Sequence, residues 1–223
     1  MGMMEKADQY QGARSRMVES QIVARGVGDE RVLNAMRTIP RHVFLPAELQ
    51  PDAYQDNPLP IGHGQTISQP YIVALMTSLL NLRGTEKILE VGTGSGYQAA
   101  VLGVLAAEVH SVEYIPELAA AAQEKLAVLH FDNVAVHVGD GSLGWPEAAP
   151  YDGILVAAGA PAFPVDLPQQ LKDGGRLVIP VGARQRQMLQ VWIKRADSLE
   201  KKEILPVVFV PLKGAQGWQD SDL

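Results

Sequence analysis

The sequence predicts an α/β fold: a doubly wound, mostly parallel sheet of seven strands, with an N-terminal helical extension and an antiparallel C-terminal hairpin. Between residues 87 and 181, short apolar runs alternate with segments of helical character. A glycine-rich turn joins the first run to the helix behind it. The last two apolar runs are joined by a charged segment with no room for a crossover helix. Alternating strands and helices indicate right-handed crossovers and a parallel sheet covered by helices on both faces, whereas a short connection favours a hairpin.

The composition suits one domain. The chain has 223 residues, of which 47% are hydrophobic and 20% charged, so it can bury a substantial core. A net charge of -6 argues against nonspecific nucleic-acid binding as the main task. The absence of cysteine excludes disulfides, thiolate metal sites and cysteine nucleophiles, and it permits a reducing compartment. The start resembles no secretory signal and no stretch approaches the roughly 18 apolar residues of a membrane span, so we expect a soluble, cytoplasmic protein.

The N-terminal third is predicted to be helical and then irregular. Residues 1–12 are polar and indicate a disordered tail. A loose helical pattern follows over 13–25, and Asp29 is placed to cap a second helix. Residues 41–45, between two prolines, are predicted to be an extended connector, and residues 47–62 a loop rich in turn-forming residues.

A second unusual stretch is Gly62-His-Gly-Gln-Thr-Ile-Ser-Gln-Pro70. It combines flexible glycines with polar side chains and ends in a proline that can open a helix. The helix, predicted over 71–82, has an apolar face wide enough to lie on a sheet. Taken alone, Ser68 before that helix is as well explained by a capping role.

The remaining elements follow from apolar runs and their punctuation by glycine and proline. The predicted helices are 97–107, 116–129 and a short one at 167–171. The predicted strands are 88–91, 109–113, 134–138, 151–157, 176–181, 188–193 and 204–212. We expect the charged residues 194–203 to form a solvated turn.

Three consecutive strand ends carry groups suited to a nucleotide-like ligand. The first strand runs into Gly92-Thr-Gly-Ser-Gly96, a turn that packing alone would also explain. Glu113 ends the next strand, 21 residues after Gly92, and Asp140 ends the one after it. Carboxyl ends of parallel strands share one edge, where open sheets bind ligands.

Two ligands compete for this turn, a nicotinamide dinucleotide and S-adenosylmethionine. The dinucleotide pattern wants its third glycine where this chain has Tyr97, which is bulky at a place of close packing. Glu90, just before the turn, would repel a pyrophosphate, whereas it suits a ligand with an ammonium and a sulfonium. The sequence therefore predicts S-adenosylmethionine as the cofactor, with S-adenosyl-L-homocysteine as its product.

At this point a family resemblance becomes specific. Leu89-Glu-Val-Gly-Thr-Gly-Ser-Gly-Tyr-Gln98 resembles the first motif of the protein-L-isoaspartate O-methyltransferases, which have the Rossmann-like fold of class I methyltransferases. Gly64-Gln-Thr-Ile-Ser-Gln-Pro70 resembles the upstream motif that distinguishes this family. Residues 139–141, 170–182 and 209–212 also match, so the resemblance extends from about Met17 to Gly214. It implies a single methyltransferase domain over 13–214, with a helical and substrate-loop part (13–82), a cofactor-binding core (83–214) and a C-terminal tail (215–223).

The resemblance also implies roles for individual residues. The methionine part of the donor would be surrounded by Glu90, Gly92, Thr93, Gly94, Ser95 and Gly96; the ribose would meet Glu113, and the adenine Asp140 with Gly141. The active-site residue would be Ser68, and the substrate would meet Thr66, Ile67, Gln69, Val210, Pro211 and Leu212. His63 is either a substrate contact or a plain loop residue. After the fourth strand, Ala157-Ala-Gly159 replaces the Thr-Ala-Ala frequent in the family, which removes a hydroxyl.

The implied reaction moves a methyl group to the free carboxylate of an L-isoaspartyl residue in a damaged protein or peptide and starts repair through a succinimide. That carboxylate is already ionised at pH 7, so the catalyst needs no strong base and acts mainly by positioning. We expect isoaspartyl proteins as partners, a monomer, and no nucleic acid, membrane or metal.

Four alternatives stay open or are disfavoured by the sequence. The donor could serve another carboxylate or small molecule, or the chain could bind the donor without catalysis. A DNA amino-methyltransferase would need Asp/Asn-Pro-Pro-aromatic where this chain has Ala158-Gly-Ala-Pro161. A cytosine C5 enzyme would need a cysteine nucleophile.

Overall fold

A seven-stranded sheet forms the centre of the computed structural model, which describes residues 9–196 and 198–219. Its strands are β3 (Lys87–Val91), β4 (Glu108–Glu113), β5 (Val134–Val138), β6 (Tyr151–Val156), β7 (Leu171–Ala183), β8 (Arg186–Arg195) and β9 (Ser198–Val207). Across the sheet their order is β5-β4-β3-β6-β7-β8-β9. From β5 to β7 all neighbours are parallel, whereas β8 and β9 form antiparallel pairs at the edge. The predicted fold class is confirmed.

Among the described residues, α-helices cover one face of this sheet, whereas helices on both faces were predicted. These α-helices are α1 (Gln11–Met17), α2 (Glu30–Thr38), α3 (Pro70–Leu80), α4 (Tyr97–Leu105) and α5 (Pro116–Val128). Strand residues alternate between the faces, so Ile88 joins the larger core beneath the helices and Leu89 the smaller core opposite. Loops with short 3₁₀ turns, such as Pro168–Gln170, cover that second face, because the crossovers there are too short for long helices.

The predicted ends of the chain are described only in part. Of the expected tail over 1–12, residues 1–8 lie outside the described residues, and α1 already begins at Gln11. Of the tail expected over 215–223, residues 220–223 lie outside them. The segment up to Gln219 folds back on the domain, as the site shows below.

The C-terminal hairpin is longer than predicted, and its strand boundaries were wrong. The charged residues 194–203 were expected to form a turn, but the reversal is confined to the few residues around Ala196, and Ser198–Val207 pairs along β8. This edge strand tolerates charge because most of its side chains are exposed to water, and charged edge residues discourage pairing with other chains. Residues 208–212, predicted as strand, leave the sheet instead and return to the neighbourhood of Gly159.

The connector after α2 also differs from its prediction. Residues 41–44 form a 3₁₀ turn because three of their four side chains are buried. Arg41 is fully buried, and its Nε donates to the Ala53 carbonyl at 2.7 Å. Phe44 packs edge-on against Tyr97, at the start of α4, with ring centroids 5.5 Å apart. The predicted loop 47–62 contains another 3₁₀ turn and strand β1 (Leu59–Gly62), which pairs with β2 (Gln65–Ile67).

His42 should make folding stability depend on pH. Its ring is 4% exposed, and Nδ1 lies 2.7 Å from the Tyr54 hydroxyl. Burial, assisted by the charge of Arg14, lowers the pKa of His42 to about 4. In the unfolded chain His42 takes up a proton near pH 6.5, whereas in the folded protein it stays neutral until about pH 4. The free energy that the neutral, buried ring contributes to stability is therefore complete above pH 6.5 and is lost as the pH falls toward 4.

The expected loss between pH 7 and pH 5 is about 2 kcal/mol, measured as the free energy of unfolding in urea. Other groups titrate over this interval, so the quantity to compare is the difference between wild type and His42→Asn, which should lose less stability. His130→Asn removes an exposed histidine from the surface and serves as the control. Equal pH dependence in wild type and His42→Asn would contradict the assignment.

Candidate active site

A cleft lies at the point where the strand order of the sheet reverses. The chain runs outward from β3 through β4 to β5, and then crosses to β6 on the other side of β3. Ligands bind at such a switch point, outside the carboxyl ends of the strands. The cleft encloses about 770 Å³ of empty space, part of which is open to solvent. Its wall includes Gly92–Ser95, Glu113, Gly141, Thr66–Ser68 and Val210–Lys213.

The glycine turn between β3 and α4 needs its glycines for two different reasons. Gly92 and Gly94 line the cleft with φ of 93° and 53°, values that non-glycine residues rarely adopt. Gly96 does not line the cleft. A Cβ there would lie 3.2 Å from the Cβ of Ala122 on α5, so Gly96 permits close helix packing. Thr93 and Ser95 line the cleft as predicted for donor-side residues.

Glu113 ends β4 with its carboxylate against the cleft. Its Oε2 accepts a hydrogen bond from the Gly94 N–H at 2.8 Å, and its Oε1 accepts one from the Ile115 N–H at 3.0 Å. Each carboxylate oxygen keeps a further lone pair. The carboxylate therefore fixes the glycine turn and can also accept hydrogen bonds from a pair of ligand hydroxyls.

Glu90 lies beneath the cleft rather than on its surface. It is fully buried in β3, and its Oε2 accepts a hydrogen bond from the Ser111 hydroxyl at 2.5 Å. Its Oε1 has no hydrogen-bond partner among the described residues. Burial, with a smaller effect from the charge of Glu113, raises the pKa of Glu90 to about 8. A buried carboxyl with an unpartnered oxygen suits a site whose ligand brings positive charge, as the ammonium and sulfonium of S-adenosylmethionine would.

Of the two residues expected near the adenine, Gly141 lines the cleft and Asp140 does not. The Asp140 Oδ1 accepts hydrogen bonds from the N–H and hydroxyl of Ser142, at 2.9 and 2.6 Å. Its Oδ2 accepts one from the Ala215 N–H at 2.7 Å. The C-terminal segment thus covers Asp140, held also by the Trp218 Nε1–H, which donates to the Gly159 carbonyl at 3.0 Å.

Gly141→Ala should destabilise the protein. A Cβ at Gly141 would lie 2.6 Å from Cγ1 of Val91, whose strand is central to the sheet and has little freedom to move. Overpacking of this kind costs about 2 kcal/mol, equivalent to a melting temperature lower by roughly 5 °C in thermal unfolding. Gly28→Ala is the matched control, because a Cβ there meets nothing within 4 Å. Equal melting temperatures for the two variants would contradict the expected clash.

A second cavity, with about 1340 Å³ of empty space that includes open solvent, lies beside the first. The two share a wall made of Thr66, Ser68, Ala157 and Val210. No described residue exchanges a hydrogen bond with the Ser68 hydroxyl, and α3 is capped at Gln69 without a side-chain bond. The capping explanation for Ser68 therefore has no support in the geometry.

Three other residues predicted on the substrate side lie in different places. Ile67 is buried in the wall of the first cavity. Gln69 lines the second cavity, but its Nε2 donates to the Asp56 Oδ1 at 2.8 Å and so secures the preceding loop. His63, at the tip of the β1–β2 hairpin with φ of 53°, lines neither cavity.

The segment Val210-Pro211-Leu212 forms the opposite wall. The Gly159 N–H donates to the Val210 carbonyl at 2.8 Å, and the Leu212 N–H donates to the Gly159 carbonyl at 2.9 Å. Backbone pairing thus ties this segment to the loop after β6. This pairing uses only main-chain atoms. The threonine hydroxyl that is frequent in the family at the position of Ala157, and that this chain lacks, is therefore not needed for it.

Sequence reasoning missed several lining residues. Tyr114 and Lys213 line the first cavity, and each directly follows a predicted site residue, so adjacency was an available signal. Arg25 and Arg186 line the second cavity from distant parts of the chain, and no sequence signal pointed to them. Arg25 forms an ion pair with Asp56 and lies over the Tyr71 ring, 4.8 Å from its centroid.

Residues 9–196 and 198–219 show neither a metal site nor a membrane-spanning helix. No group of three or more His, Cys, Asp or Glu side chains is arranged to hold a metal ion. No helix there combines the length and apolar character needed to cross a membrane.

The parallel sheet, the glycine turn at its switch point and the acidic end of the following strand define a class I S-adenosylmethionine-dependent methyltransferase. Comparison with known families makes the assignment specific. The family model "Protein-L-isoaspartate(D-aspartate) O-methyltransferase (PCMT)" matches residues 13–217. The chain belongs to this family.

Individual relatives agree with the family match. The chain is 55% identical over 214 residues to a protein-L-isoaspartate O-methyltransferase of Methanoculleus marisnigri, covering 96% of this chain and 97% of the relative. It is 56% identical over 207 residues to protein-L-isoaspartate O-methyltransferase 2 of Marinobacter nauticus, covering 92% and 94%. A solved protein-L-isoaspartate O-methyltransferase superposes with a TM-score of 0.84 at 31% identity, covering 92% of this chain and 67% of the other. A Plasmodium falciparum structure of this kind, in complex with S-adenosyl-L-homocysteine, gives a TM-score of 0.78 at 26% identity over 90% and 98%.

Proposed function

We propose that this chain transfers a methyl group from S-adenosylmethionine to the free α-carboxylate of L-isoaspartyl residues in proteins and peptides. One observation carries the proposal at the level of the site. A small-molecule cleft and a larger open groove meet at a shared wall formed by Thr66, Ser68, Ala157 and Val210. A donor in the first cavity and a peptide in the second would come together at that wall.

The donor side fits the methyl donor by its chemistry. When bound, S-adenosylmethionine supplies an electrophilic methyl group on a positively charged sulfur. The glycine turn lets the backbone approach the ligand closely, and Glu113 is placed to accept hydrogen bonds from ribose hydroxyls. Gly141 would form part of the wall around the adenine. Asp140 would contribute indirectly, because its carboxylate accepts a hydrogen bond from Ser142 and so holds the loop that contains Gly141.

The substrate side has to orient a carboxylate and leave one of its oxygens free to attack. That carboxylate is ionised at pH 7, so no general base is required. The shared wall offers the neutral hydroxyls of Thr66 and Ser68, which can hold one oxygen without the strong ion pair that would quench its reactivity. Of the two arginines that line the groove, Arg25 is already paired with Asp56. Holding the reacting atoms at near-attack distance can be worth several kcal/mol.

The backbone around Val210 would bind the substrate main chain. Val208, 72% exposed, and Phe209 give the groove an apolar rim suited to an extended peptide. A methyl ester formed there is a better electrophile than the carboxylate. The neighbouring backbone nitrogen would then lose its proton, attack the ester carbonyl and expel methanol, which closes a succinimide. Water opens this ring partly to normal aspartate, so the enzyme starts the repair and does not complete it.

Two other functions are separable by experiment. A methyltransferase for a different carboxylate or for a small molecule would have little use for an open groove of about 1340 Å³ with an apolar rim. A non-catalytic donor-binding protein would need no unengaged hydroxyl at Ser68. The family's name and the groove both favour the peptide substrate.

The test compares two peptides of one sequence, one with L-isoaspartate and one with normal aspartate. Purified protein and labelled S-adenosylmethionine should give base-labile methyl ester on the isoaspartyl peptide and none above background on its twin. Equal labelling of both peptides would overturn the proposed specificity. Labelling of neither, with S-adenosyl-L-homocysteine still binding, would favour the non-catalytic alternative.

We further propose a cytoplasmic monomer whose partners are isoaspartyl-containing proteins. A chain without cysteine has no disulfide to lose in a reducing compartment. A net charge of -6 disfavours nucleic acid as a partner. Light scattering of the purified protein would test the monomer.

A further inference from the structure

A chain of three buried polar side chains connects the interior of the sheet with the cleft. Ser111 on β4 is paired in register with Glu90 on β3 and is fully buried. Its Oγ lies 2.5 Å from the Glu90 Oε2 and also 2.5 Å from the Thr93 Oγ1. Thr93 lines the cleft, whereas Glu90 does not. Ser111 is therefore the link between the buried carboxyl and the ligand side.

The number of hydrogens fixes the direction of these hydrogen bonds. Each hydroxyl has one hydrogen to donate, and an ionised carboxylate can only accept. If Glu90 is ionised, Ser111 must donate to it and Thr93 must donate to Ser111, which leaves only lone pairs on Thr93 for the cleft. If Oε2 carries a proton, the whole chain can reverse, and Thr93 then presents its hydrogen to the cleft.

We propose that Glu90, Ser111 and Thr93 form a two-state relay, in which binding of the donor's ammonium group selects the ionised state and expels one proton to solvent. The inference rests on the proposed binding of the donor's methionine part at the glycine turn. An ammonium needs acceptors: Thr93 offers two lone pairs in the ionised state, but in the protonated state only one, beside a hydrogen that the ammonium repels. The positive charge of the ammonium also favours the carboxylate beneath. Ser111 acts as a positioning residue that transmits one effect to the other.

The surroundings of Glu90 agree with a carboxyl that holds its proton before the donor binds. Burial is the main reason that the pKa of Glu90 is raised to about 8; the hydrogen bond from Ser111 acts in the opposite direction, and repulsion from Glu113 adds to the rise. On its other side β6 contributes Leu155, which does not titrate. Of the remaining groups at the cleft, Tyr97 comes from the start of α4 and Lys213 from the C-terminal segment.

Calorimetry can count the expelled proton. S-adenosyl-L-homocysteine, which keeps the ammonium group, is titrated into the protein at pH 7 in buffers of different ionisation enthalpy. Wild type should release a proton, with a stoichiometry approaching one and falling toward zero above pH 9. Glu90→Gln should release none, because its side chain never ionises. A wild type that releases no proton at pH 7, or a Glu90→Gln variant that still does, would overturn the relay.

Variants of the other two residues test the link itself. Ser111→Ala keeps Glu90 but breaks the chain, so proton release should fall well below that of wild type and the ligand's dissociation constant should rise about tenfold. Thr93→Val cuts the chain at the cleft end and gives the same test if Ser111→Ala does not fold. Ser78→Ala deletes a hydroxyl that donates to Leu75 within α3, and should leave both readouts unchanged. Wild-type proton release in both Ser111→Ala and Thr93→Val would refute the link.

These readouts are independent of the peptide assay. A protein that releases the proton but leaves the isoaspartyl peptide unmethylated would refute the proposed substrate and keep the relay. A protein that methylates the peptide without releasing a proton on ligand binding would refute the relay alone.

Discussion

Ser68→Ala is expected to lower kcat about 100-fold, while the dissociation constant for S-adenosyl-L-homocysteine stays within about twofold of wild type. Ser68 belongs to the wall between the donor cleft and the peptide groove, and no described residue uses its hydroxyl. The hydroxyl is therefore available to orient the attacking carboxylate. Loss of one oriented donor at a reacting centre costs about 3 kcal/mol of transition-state stabilisation. Steady-state methylation of an isoaspartyl peptide and calorimetry of the product measure the two quantities.

The control for Ser68 is a serine whose role is structural. Ser78→Ala removes the same atoms from α3, where the hydroxyl donates to the Leu75 carbonyl at 2.7 Å, and should leave kcat unchanged. The melting temperature of Ser68→Ala should match wild type, because α3 is capped at Gln69 without a side-chain bond. Full turnover combined with a lower melting temperature would show that Ser68 only supports the helix.

The parts of the fold that sequence predicted well are those set by local pattern. The predicted strand 134–138 coincides with β5, and the predicted helices 97–107 and 116–129 differ from α4 and α5 by only one or two residues at their ends. Apolar periodicity, a proline at a helix start and glycines in a turn are all readable within a dozen residues. The strand ends with Gly92 and Glu113 then fall on one edge by topology alone.

The parts that sequence missed depend on partners far along the chain. Nothing local shows that Ala215 will donate to Asp140, 75 residues away, and the segment containing it resembled a tail. Glu90 was expected beside the ligand because of its place before the turn, whereas strand alternation directs it beneath the helices, next to Ser111. The charged residues of β9 resembled a turn because an edge strand lacks the apolar pattern of an inner one.

Together these contacts separate the site into a donor half and a substrate half that mutations can address one at a time. Ser68 tests the substrate half. The donor half depends on the carboxylate at the end of β4, because the same group holds the glycine turn and faces the ligand.

Glu113→Gln should raise the dissociation constant for S-adenosyl-L-homocysteine about 100-fold, equivalent to about 3 kcal/mol. Both oxygens of Glu113 accept backbone N–H groups, from Gly94 and Ile115, so an amide would point its NH₂ at one of these donors. The variant would lose that contact and also one acceptor for the ribose hydroxyls. Calorimetry gives the binding constant, and kcat at saturating donor should fall much less than in Ser68→Ala.

Glu117→Gln changes the charge by the same amount in the first turn of α5, at an exposed position, and should leave the dissociation constant unchanged. If Glu113→Gln bound the product as tightly as wild type, the ribose would have to be held elsewhere, and the acidic strand end would serve only the turn. If its kcat fell as far as that of Ser68→Ala while binding held, the carboxylate would act on the reaction itself. The expected outcome is the opposite split in the two variants, since Glu113 lines only the donor cavity, whereas Ser68 lies at the shared wall where the attacking carboxylate would be oriented.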